Sequence, residues 1–231
     1  MTKEKIDKLI SFVESSLYFC NEACNEIWHI TQTPATESEY KLVSGRPFSF
    51  YGITLQYCFI MEYNKLLEKK LHIESSNVAS LFRLNNSTYE LLGPTFHLKY
   101  LENKKLLKDI CHSDFYATVH DLRNKKFGHA DSHPVNDPMK IKGFSGEQID
   151  EMKVLLMIAN NCFNAIEDRQ FAVHNDDRTA NFIRYHAKYK EYYHKNYLKA
   201  YEEGYGLNDD KNYRTHKSAT QKTINSSNTD G

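Results

Sequence analysis

The stretch IDKLISFVESSLYFCNEACNEI, residues 6–27, decides the fold class of this chain. Its apolar side chains recur at alternating steps of four and three, which is the spacing of one face of an α-helix. The members of this stripe are Ile6, Ile10, Val13, Leu17, Cys20, Cys24 and Ile27. The pattern predicts a long amphipathic helix that ends near Thr33 and Pro34, because proline cannot continue a helix.

Helical periodicity continues along most of the chain, and no segment alternates convincingly enough to predict a sheet. Gly93–Pro94 is predicted to break one helix, and Ser113–Asp114 to cap another. Further helices are predicted over residues 47–71, 75–84, 98–109, 114 to about 127, 147–171 and 177–203, with loops over 34–47 and 129–146. The helix over 47–71 is apolar around much of its early surface, as expected of a central bundle helix. The predicted fold class is all-α, an up-and-down helical bundle.

Composition narrows the classes of function. The chain has 231 residues, with 30 Lys and Arg against 30 Asp and Glu, so any nucleic-acid surface must be local rather than global. The five cysteines are scattered and odd in number, which favours a reducing compartment over a disulfide framework. The N-terminus is charged, and the most apolar run, residues 48–61, is too short to cross a bilayer. We therefore expect a cytoplasmic protein without a membrane partner.

The segment LRNKKFGHAD, residues 122–131, carries the clearest functional signal. Arg123 supplies a permanent planar cation that can hold a phosphate through two hydrogen bonds. His129 is the type of side chain best placed to exchange a proton near neutral pH. On a regular helix the two would point about 120° apart, and Gly128 allows the helix to end so that they converge. Together they can hold and cleave a phosphodiester without a metal.

An arginine, a polar neighbour and a histidine after four to six intervening residues resemble the signature of HEPN domains, which are small all-helical modules. Here five residues separate Arg123 from His129, and the polar neighbour is Asn124. The segment is most similar to the AbiU-type abortive-infection branch, and the resemblance extends to the helical layout of about residues 1–170. It implies a HEPN-like bundle that is a metal-independent endoribonuclease of toxin–antitoxin or phage-defence type, with no cofactor.

The resemblance also implies a role for each motif residue. His129 acts as general acid or base on the ribose 2′-hydroxyl or the leaving 5′-oxygen, and Arg123 neutralises charge in the transition state. The product would end in a 2′,3′-cyclic phosphate. Asn124 orients the histidine or a phosphate oxygen, and Lys125 and Lys126 follow the RNA backbone.

The same resemblance implies partners. RNA is the substrate, two copies form a homodimer with a composite active site, and an antitoxin protein is a candidate partner. HEPN toxins that pair with a nucleotidyltransferase antitoxin carry a modifiable Tyr two residues after the histidine. This chain has Asp131 there, so control through that modification is not implied.

Other interpretations of the motif stay open. Arg123 can be a surface or interface arginine paired with a carboxylate, and His129 a helix-end residue whose charge favours the helix C-terminus. A HEPN module can also be non-catalytic and bind RNA, a nucleotide or a protein partner. These alternatives predict no cleavage.

Two further clusters are predicted to be structural. Groups that could ligate a transition metal lie around the motif: His112, His120, His129, Asp131 and His133. A solvated loop is favoured there, so no metal site is predicted. Cys20 and Cys24 lie on the apolar stripe and are predicted to be buried thiols that act as small hydrophobes.

The predicted helix over residues 177–203 combines basic residues with tyrosines near helical spacing. The tyrosines are Tyr185, Tyr189, Tyr192, Tyr193, Tyr197 and Tyr201. Packing on the bundle or a dimer contact is the favoured interpretation. The alternative is an RNA surface that includes Arg184 and Lys188, because aromatic rings stack on bases and cations follow phosphates. The predicted organisation is a bundle over 1–172, a helical extension over 173–205 and a disordered polar tail over 206–231.

Overall fold

The computed structural model of the protein describes residues 2–69, 79–124, 144–167 and 177–202. Within these ranges the chain is helical and forms no strand, which confirms the predicted all-α class. The helices are α1 Lys3–Gln32, α2 Glu37–Val43, α3 Arg46–Leu66, α4 Leu81–Leu92, α5 His97–Cys111, α6 Asp114–Leu122, α7 Gly146–Glu167 and α8 Arg178–Glu202. A short 3-10 turn, Gly93–Phe96, links α4 to α5.

The long helix α1 packs against α3 and α7. Most of its predicted stripe is buried, including Ile6, Val13, Leu17, Cys20, Cys24 and Ile27. At one turn Leu9 takes the fully buried position and Ile10 is only partly buried. Burial of each large aliphatic side chain contributes about 1.5–3 kcal/mol, so this single face fastens α1 to the bundle. Its end at Gln32 agrees with the predicted stop.

Aromatic side chains fill the centre of the bundle. Phe59 stacks on Tyr63 of the same helix, α3, with ring centroids 5.1 Å apart. The Phe59 ring also lies 6.1 Å from Phe115 on α6 and 6.2 Å from Phe144, which precedes α7. Such aromatic pairs add to area burial, so α6 is held firmly on α3. This contact fixes the helix that carries Arg123.

A buried amide network joins α4, α5 and α7. The Asn85 amide donates to the Tyr100 carbonyl at 3.0 Å. The Asn103 amide donates to the Asn85 side-chain oxygen at 3.2 Å and to the Cys162 carbonyl at 3.3 Å. Because buried amides are costly when unpaired, these contacts set the register of the three helices.

The helix predicted over residues 75–84 is wrong at both ends, because α4 runs from Leu81 to Leu92. Helix α4 begins at Leu81, because the Ser80 hydroxyl caps it by accepting the Arg83 N–H at 3.2 Å. Residues 75–78 lie outside the described ranges. The predicted break at Gly93 is confirmed, and its φ of 61° is in the left-handed region that favours glycine.

The loop predicted over residues 34–47 is wrong, since it contains α2. Thr36 and Glu39 form a capping box in which the Thr36 hydroxyl accepts the Glu39 N–H at 3.3 Å. The Glu39 carboxylate in turn accepts the Thr36 N–H at 3.1 Å and the Ala35 N–H at 2.7 Å. Satisfying these free N–H groups allows a polar segment to start a helix.

Helix α3 has Pro47 in its first turn, as predicted, but it ends at Leu66 rather than near residue 71. Its first half lies at the surface, with the Phe50 side chain 73% exposed. Tyr51, Ile53 and Tyr57 are also exposed. The prediction of a central, buried helix is therefore wrong for the first half and holds only from Phe59 onward.

Helix α8 matches the predicted span to within a residue at each end and packs against α1 and α2. Its buried side chains are small or aliphatic: Ala180, Ile183 and Ala187. Four of the tyrosines are exposed: Tyr185, Tyr189, Tyr192 and Tyr193. The interpretation that these four pack on the bundle is therefore wrong. The side chains of Tyr197 and Tyr201 lie outside the described set.

No helix in the described ranges combines the length and the apolarity needed to cross a membrane. Cys20 and Cys24 are buried, as predicted for small hydrophobes on the α1 stripe. Residues 206–231, the predicted tail, lie outside the described ranges. The predicted division of the chain into a bundle, an extension and a tail stays a prediction.

Candidate functional site

Helix α6 positions the start of the motif. The Ser113 hydroxyl caps the helix by accepting the Tyr116 N–H at 3.1 Å, which confirms the predicted N-cap. Phe115 and Val119 are buried and anchor one face of α6 in the core. The α-helix ends at Leu122, and Arg123 with the following residue continues in a π-helical turn. Arg123 is thus fixed by a short, well-anchored helix.

Arg123 opens into a cleft with a volume of about 420 Å³, here called the Arg123 cleft. The cleft lies where the end of α3 and the residues that follow it meet the last turn of α5 and one face of α6. Its lining residues are Asn64, Glu68, Lys69, Cys111, Tyr116, Ala117, His120 and Arg123. Two cations, a histidine and one carboxylate, Glu68, therefore share one concave surface, and the excess of cations over carboxylates suits a phosphate ester.

His120 and Asn124 are joined at the mouth of the cleft. The Asn124 amide nitrogen lies 3.1 Å from His120 Nδ1, one helical turn away. The same amide nitrogen lies 3.5 Å from Nε2, so the contact holds the imidazole ring against Asn124. Asn124 therefore contacts His120, and its predicted contact with His129 stays a prediction because His129 lies outside the described ranges.

Tyr116 and Cys111 form the wall of the cleft. Burial raises the pKa of Tyr116 to about 12; the neighbouring Cys111 adds to the increase and the Arg123 guanidinium opposes it. Burial also raises the pKa of the Cys111 thiol, against the opposing effects of Lys69 and a hydrogen bond from Tyr116. Both groups therefore stay protonated near neutral pH. Tyr116 can donate a hydrogen bond, and Cys111 is not activated as a nucleophile.

Asn64 supplies an unused acceptor. The residue is 2% exposed, and its amide donates to the Ile60 carbonyl at 2.7 Å and to the Val119 carbonyl at 3.4 Å. These bonds tie α3 to α6. Its side-chain oxygen has no hydrogen-bond partner in the part of the chain that the structure describes. A buried oxygen of this kind is costly unless a ligand or water donates to it.

The predicted site residues are only partly brought together. Arg123 lines the cleft and Asn124 contacts its lining residue His120, whereas Lys125, Lys126 and His129 lie outside the described ranges. Arg184 and Lys188 are exposed on α8, which packs against α1 and α2 and does not line the cleft. Within the described residues no carboxylate forms an ion pair with Arg123.

Sequence reasoning missed four groups of the cleft as site residues: Asn64, Lys69, Tyr116 and His120. His120 was weighed only as a metal ligand, although it lies three residues before Arg123 on the same helix face. That spacing was a usable signal. Asn64 and Lys69 come from a different helix region, so only the packing of α3 against α6 brings them in. Among the described residues no group of three potential ligands could hold a metal ion.

No family model matches the chain, and neither a curated protein nor a solved structure matches it. The resemblance to HEPN domains accordingly rests on the residues around Arg123 and His129 and on the helical layout. What the site can do is decided by the groups that line the Arg123 cleft.

Proposed function

We propose that this protein is a metal-independent endoribonuclease of HEPN type, acting in toxin–antitoxin or abortive-infection phage defence. One observation carries the proposal: Arg123 shares a cleft with Lys69 and His120, and the chain continues from this cleft into the segment that holds His129. Cations for the phosphate and imidazoles for proton transfer are the groups that RNA cleavage without a metal requires.

Charge stabilisation falls to Arg123 and Lys69. As the ribose 2′-oxygen attacks phosphorus, negative charge builds on the non-bridging phosphate oxygens. The planar guanidinium of Arg123 can hold two of these oxygens at once, while the Lys69 ammonium acts as a point charge. Because α6 is anchored by Phe115 and Val119, Arg123 needs little reorganisation during the reaction.

Proton transfer requires one group on each side of the phosphorus. A base takes the proton of the 2′-hydroxyl as the O2′–P bond forms, and an acid gives a proton to O5′ as the P–O5′ bond breaks. The products are a 2′,3′-cyclic phosphate and a 5′-hydroxyl, with no water, metal or oxidant consumed. His129 supplies one of these groups in the proposal. His120, which Asn124 contacts, is the second imidazole beside Arg123.

The side-chain oxygen of Asn64 is buried below the surface of the cleft and adds no direct contact for a substrate. The hydroxyl of Tyr116 stays protonated and adds no negative charge beside Arg123. Lys69 and Arg123 outnumber the one lining carboxylate, Glu68, and supply the donors for the phosphate.

Affinity in the proposal comes from residues around the cleft. Lys125 and Lys126 follow Arg123 and add positive charge beside it. Arg184 and Lys188 on α8 form a more distant surface with the exposed tyrosines. Tyr185 and Tyr189 rings are 6.5 Å apart and nearly parallel, so they present a face for base stacking.

A homodimer with a composite site is part of the proposal, with an antitoxin as a candidate regulator. Support for self-association comes from the exposed first half of α3, where Phe50, Tyr51, Ile53 and Tyr57 lie at the surface. Large contiguous apolar patches on the surface of a soluble protein often mark interaction sites. Analytical ultracentrifugation of wild type and Phe50→Ser tests this part: a dimer that dissociates in the variant supports it, and a wild-type monomer contradicts it.

An arginine series tests the proposed function. Arg123→Ala should lower the cleavage rate by about 100-fold or more, because a donor aimed at developing charge is lost. Arg123→Lys keeps the charge but loses the two-pronged contact, so it should fall between wild type and alanine. Arg46→Ala, an exposed arginine on α3, is the matched control and should cleave normally. RNA binding without cleavage by wild type would favour the non-catalytic module instead.

A further inference from the structure

A second cleft adjoins the Arg123 cleft. It has a volume of about 590 Å³ and lies between α4, α5 and the residues after α3. The groups relevant here are Lys69, Tyr89, Tyr100, Lys104, Lys108 and His112. We call it the lysine–tyrosine cleft. Apart from Lys69, none of these groups takes part in the cleavage chemistry proposed above.

The two clefts meet at Lys69, beside the end of α5. Lys69 lines both of them. Cys111 lines the Arg123 cleft, and its neighbour in the chain, His112, lines the lysine–tyrosine cleft. A polymer that occupies both clefts therefore passes the Lys69 side chain.

The lysine–tyrosine cleft has the charge that a phosphate backbone needs. Lys104 and Lys108 are one turn apart on α5 and are exposed on the same face, and Lys69 stands across from them. Glu90 is the acidic residue of the lining, so cations are in excess. Positive side chains along a groove supply sequence-independent affinity for nucleic acid.

The same cleft offers an aromatic platform. The Tyr89 and Tyr100 rings stack with centroids 4.5 Å apart and planes 18° from parallel. Lys104 Nζ donates to the Tyr100 hydroxyl at 3.2 Å, which couples the platform to the cationic row. Both tyrosines are half-buried, and the flexible Lys104 side chain covers the Tyr100 ring with its ammonium 5.3 Å from the ring centroid. When Lys104 turns to a phosphate, an unpaired base can stack on Tyr100, whereas a base inside a duplex cannot reach it.

We propose that the substrate is single-stranded RNA and that the lysine–tyrosine cleft binds the nucleotides next to the scissile phosphate. This inference rests on the proposed function and adds the substrate class and the path of the strand. The phosphates follow Lys69, Lys104 and Lys108, and a base stacks on Tyr89 and Tyr100. Two-point binding of this kind holds the scissile phosphate in register beside Arg123.

The test is a binding measurement with a probe that cannot react. A short fluorescein-labelled RNA in which every ribose is 2′-O-methylated is titrated with the full chain, and fluorescence anisotropy gives the Kd. The variant is Lys104→Ala/Lys108→Ala. The matched control is Lys99→Ala/Lys105→Ala, which removes the same charge from the same helix at positions outside the cleft. Cleavage of unmodified RNA is measured in parallel.

The inference predicts a specific salt dependence. Losing two phosphate contacts lowers the slope of log Kd against log salt by about 1.4, at about 0.7 per contact for a single strand. From about 1 M salt, where the proteins converge, to about 0.1 M, this corresponds to about a 25-fold weaker Kd for the variant. The control should change the slope by less than half as much. A Tyr89→Leu variant should weaken the binding of the single strand and leave the binding of a duplex unchanged.

The outcomes separate this inference from the proposed function. If wild type cleaves RNA but Lys104→Ala/Lys108→Ala binds like its control, the path of the strand is wrong and the endoribonuclease proposal stands. If the variant and wild type differ as predicted, the lysine–tyrosine cleft is part of the RNA site. If wild type neither binds nor cleaves RNA, both proposals are overturned. Tight binding of a duplex by this cleft would overturn the single-strand assignment alone.

Discussion

Replacement of Asn160 by leucine should destabilise the fold through one identifiable partner, Asn21. The two residues exchange amide hydrogen bonds between α1 and α7, at 3.0 Å from the Asn21 amide and 2.9 Å from the Asn160 amide. The Asn21 amide also donates to the Leu17 carbonyl at 2.7 Å. Both asparagines are buried. The pair is therefore a polar clasp between two helices of the core.

The magnitude follows from which groups lose a partner. In Asn160→Leu the side-chain oxygen of Asn21 loses its donor, at a cost of about 1–3 kcal/mol for a buried acceptor. We expect about 2 kcal/mol, because the pair borders a cleft that admits water. Asn21→Leu leaves both the oxygen and the amide of Asn160 unpaired, so its cost should be larger. The double variant Asn21→Leu/Asn160→Leu leaves neither asparagine with an unpaired polar group. Its loss of stability should therefore be about 2 kcal/mol smaller than the sum of the two single losses.

Urea unfolding followed by far-UV circular dichroism measures these values. With an m-value of about 2 kcal/mol per M, a loss of 2 kcal/mol moves the midpoint down by about 1 M. Asn196→Leu, an exposed asparagine on α8, is the control and should change stability by less than about 0.5 kcal/mol. Additive single and double effects, within about 0.5 kcal/mol, would refute the clasp.

Three further predictions concern the helix that carries Arg123 and the buried thiols. Ser113→Ala should cost about 1 kcal/mol by removing the cap of α6, whereas Ser113→Asp should cost little, and equal unfolding midpoints for the two would contradict the cap. In the folded protein iodoacetamide should modify the exposed Cys58 first and leave Cys24 and Cys162, whose pKa values burial raises to about 12, unmodified; mass spectrometry of the peptides would expose a reversed order. Because the pKa of Tyr116 rises from 10.0 to about 12 on folding, its contribution to stability is present below pH 10 and is lost as pH rises to about 12. Thermal unfolding across that interval should therefore depend less on pH in Tyr116→Phe than in wild type, and an unchanged dependence would show that Tyr116 is not buried as described.

The sequence predicted those parts of the fold in which one helix face is strongly apolar. The stripe of α1 and the caps at Ser113 and Gly93 are local signals, and each lies where it was predicted. Helix α2 was missed because a short polar segment lacks a stripe, although Thr36 and Glu39 already had the capping-box spacing. The first half of α3 shows that apolar side chains do not by themselves predict a buried helix, because Phe50 is apolar and yet exposed.

Only those residues of the candidate site that are close to the motif in the sequence could be predicted. Arg123 and Asn124 were found from the motif, and His120 was within reach of the same helical spacing. Asn64 and Lys69 enter the cleft only because α3 packs against α6, and the place where it meets the lysine–tyrosine cleft depends on the position of α5. The predicted packing of the α8 tyrosines on the bundle was wrong for a different reason. A helical period predicts that side chains share a face, but not whether that face is the buried one. In α8 the smaller Ala180 and Ala187 take the buried face.

The most direct test of the proposed endoribonuclease is an RNA cleavage assay in the presence of EDTA, with wild type and His129→Ala purified identically. Arg46→Ala, an exposed residue outside both clefts, is the control. Wild type and the control should cleave and leave 2′,3′-cyclic phosphate ends, and His129→Ala should be slower by about 100-fold or more. Equal cleavage by wild type and His129→Ala would contradict the proposed role of His129, and cleavage by wild type that EDTA abolishes would contradict the metal-independent mechanism.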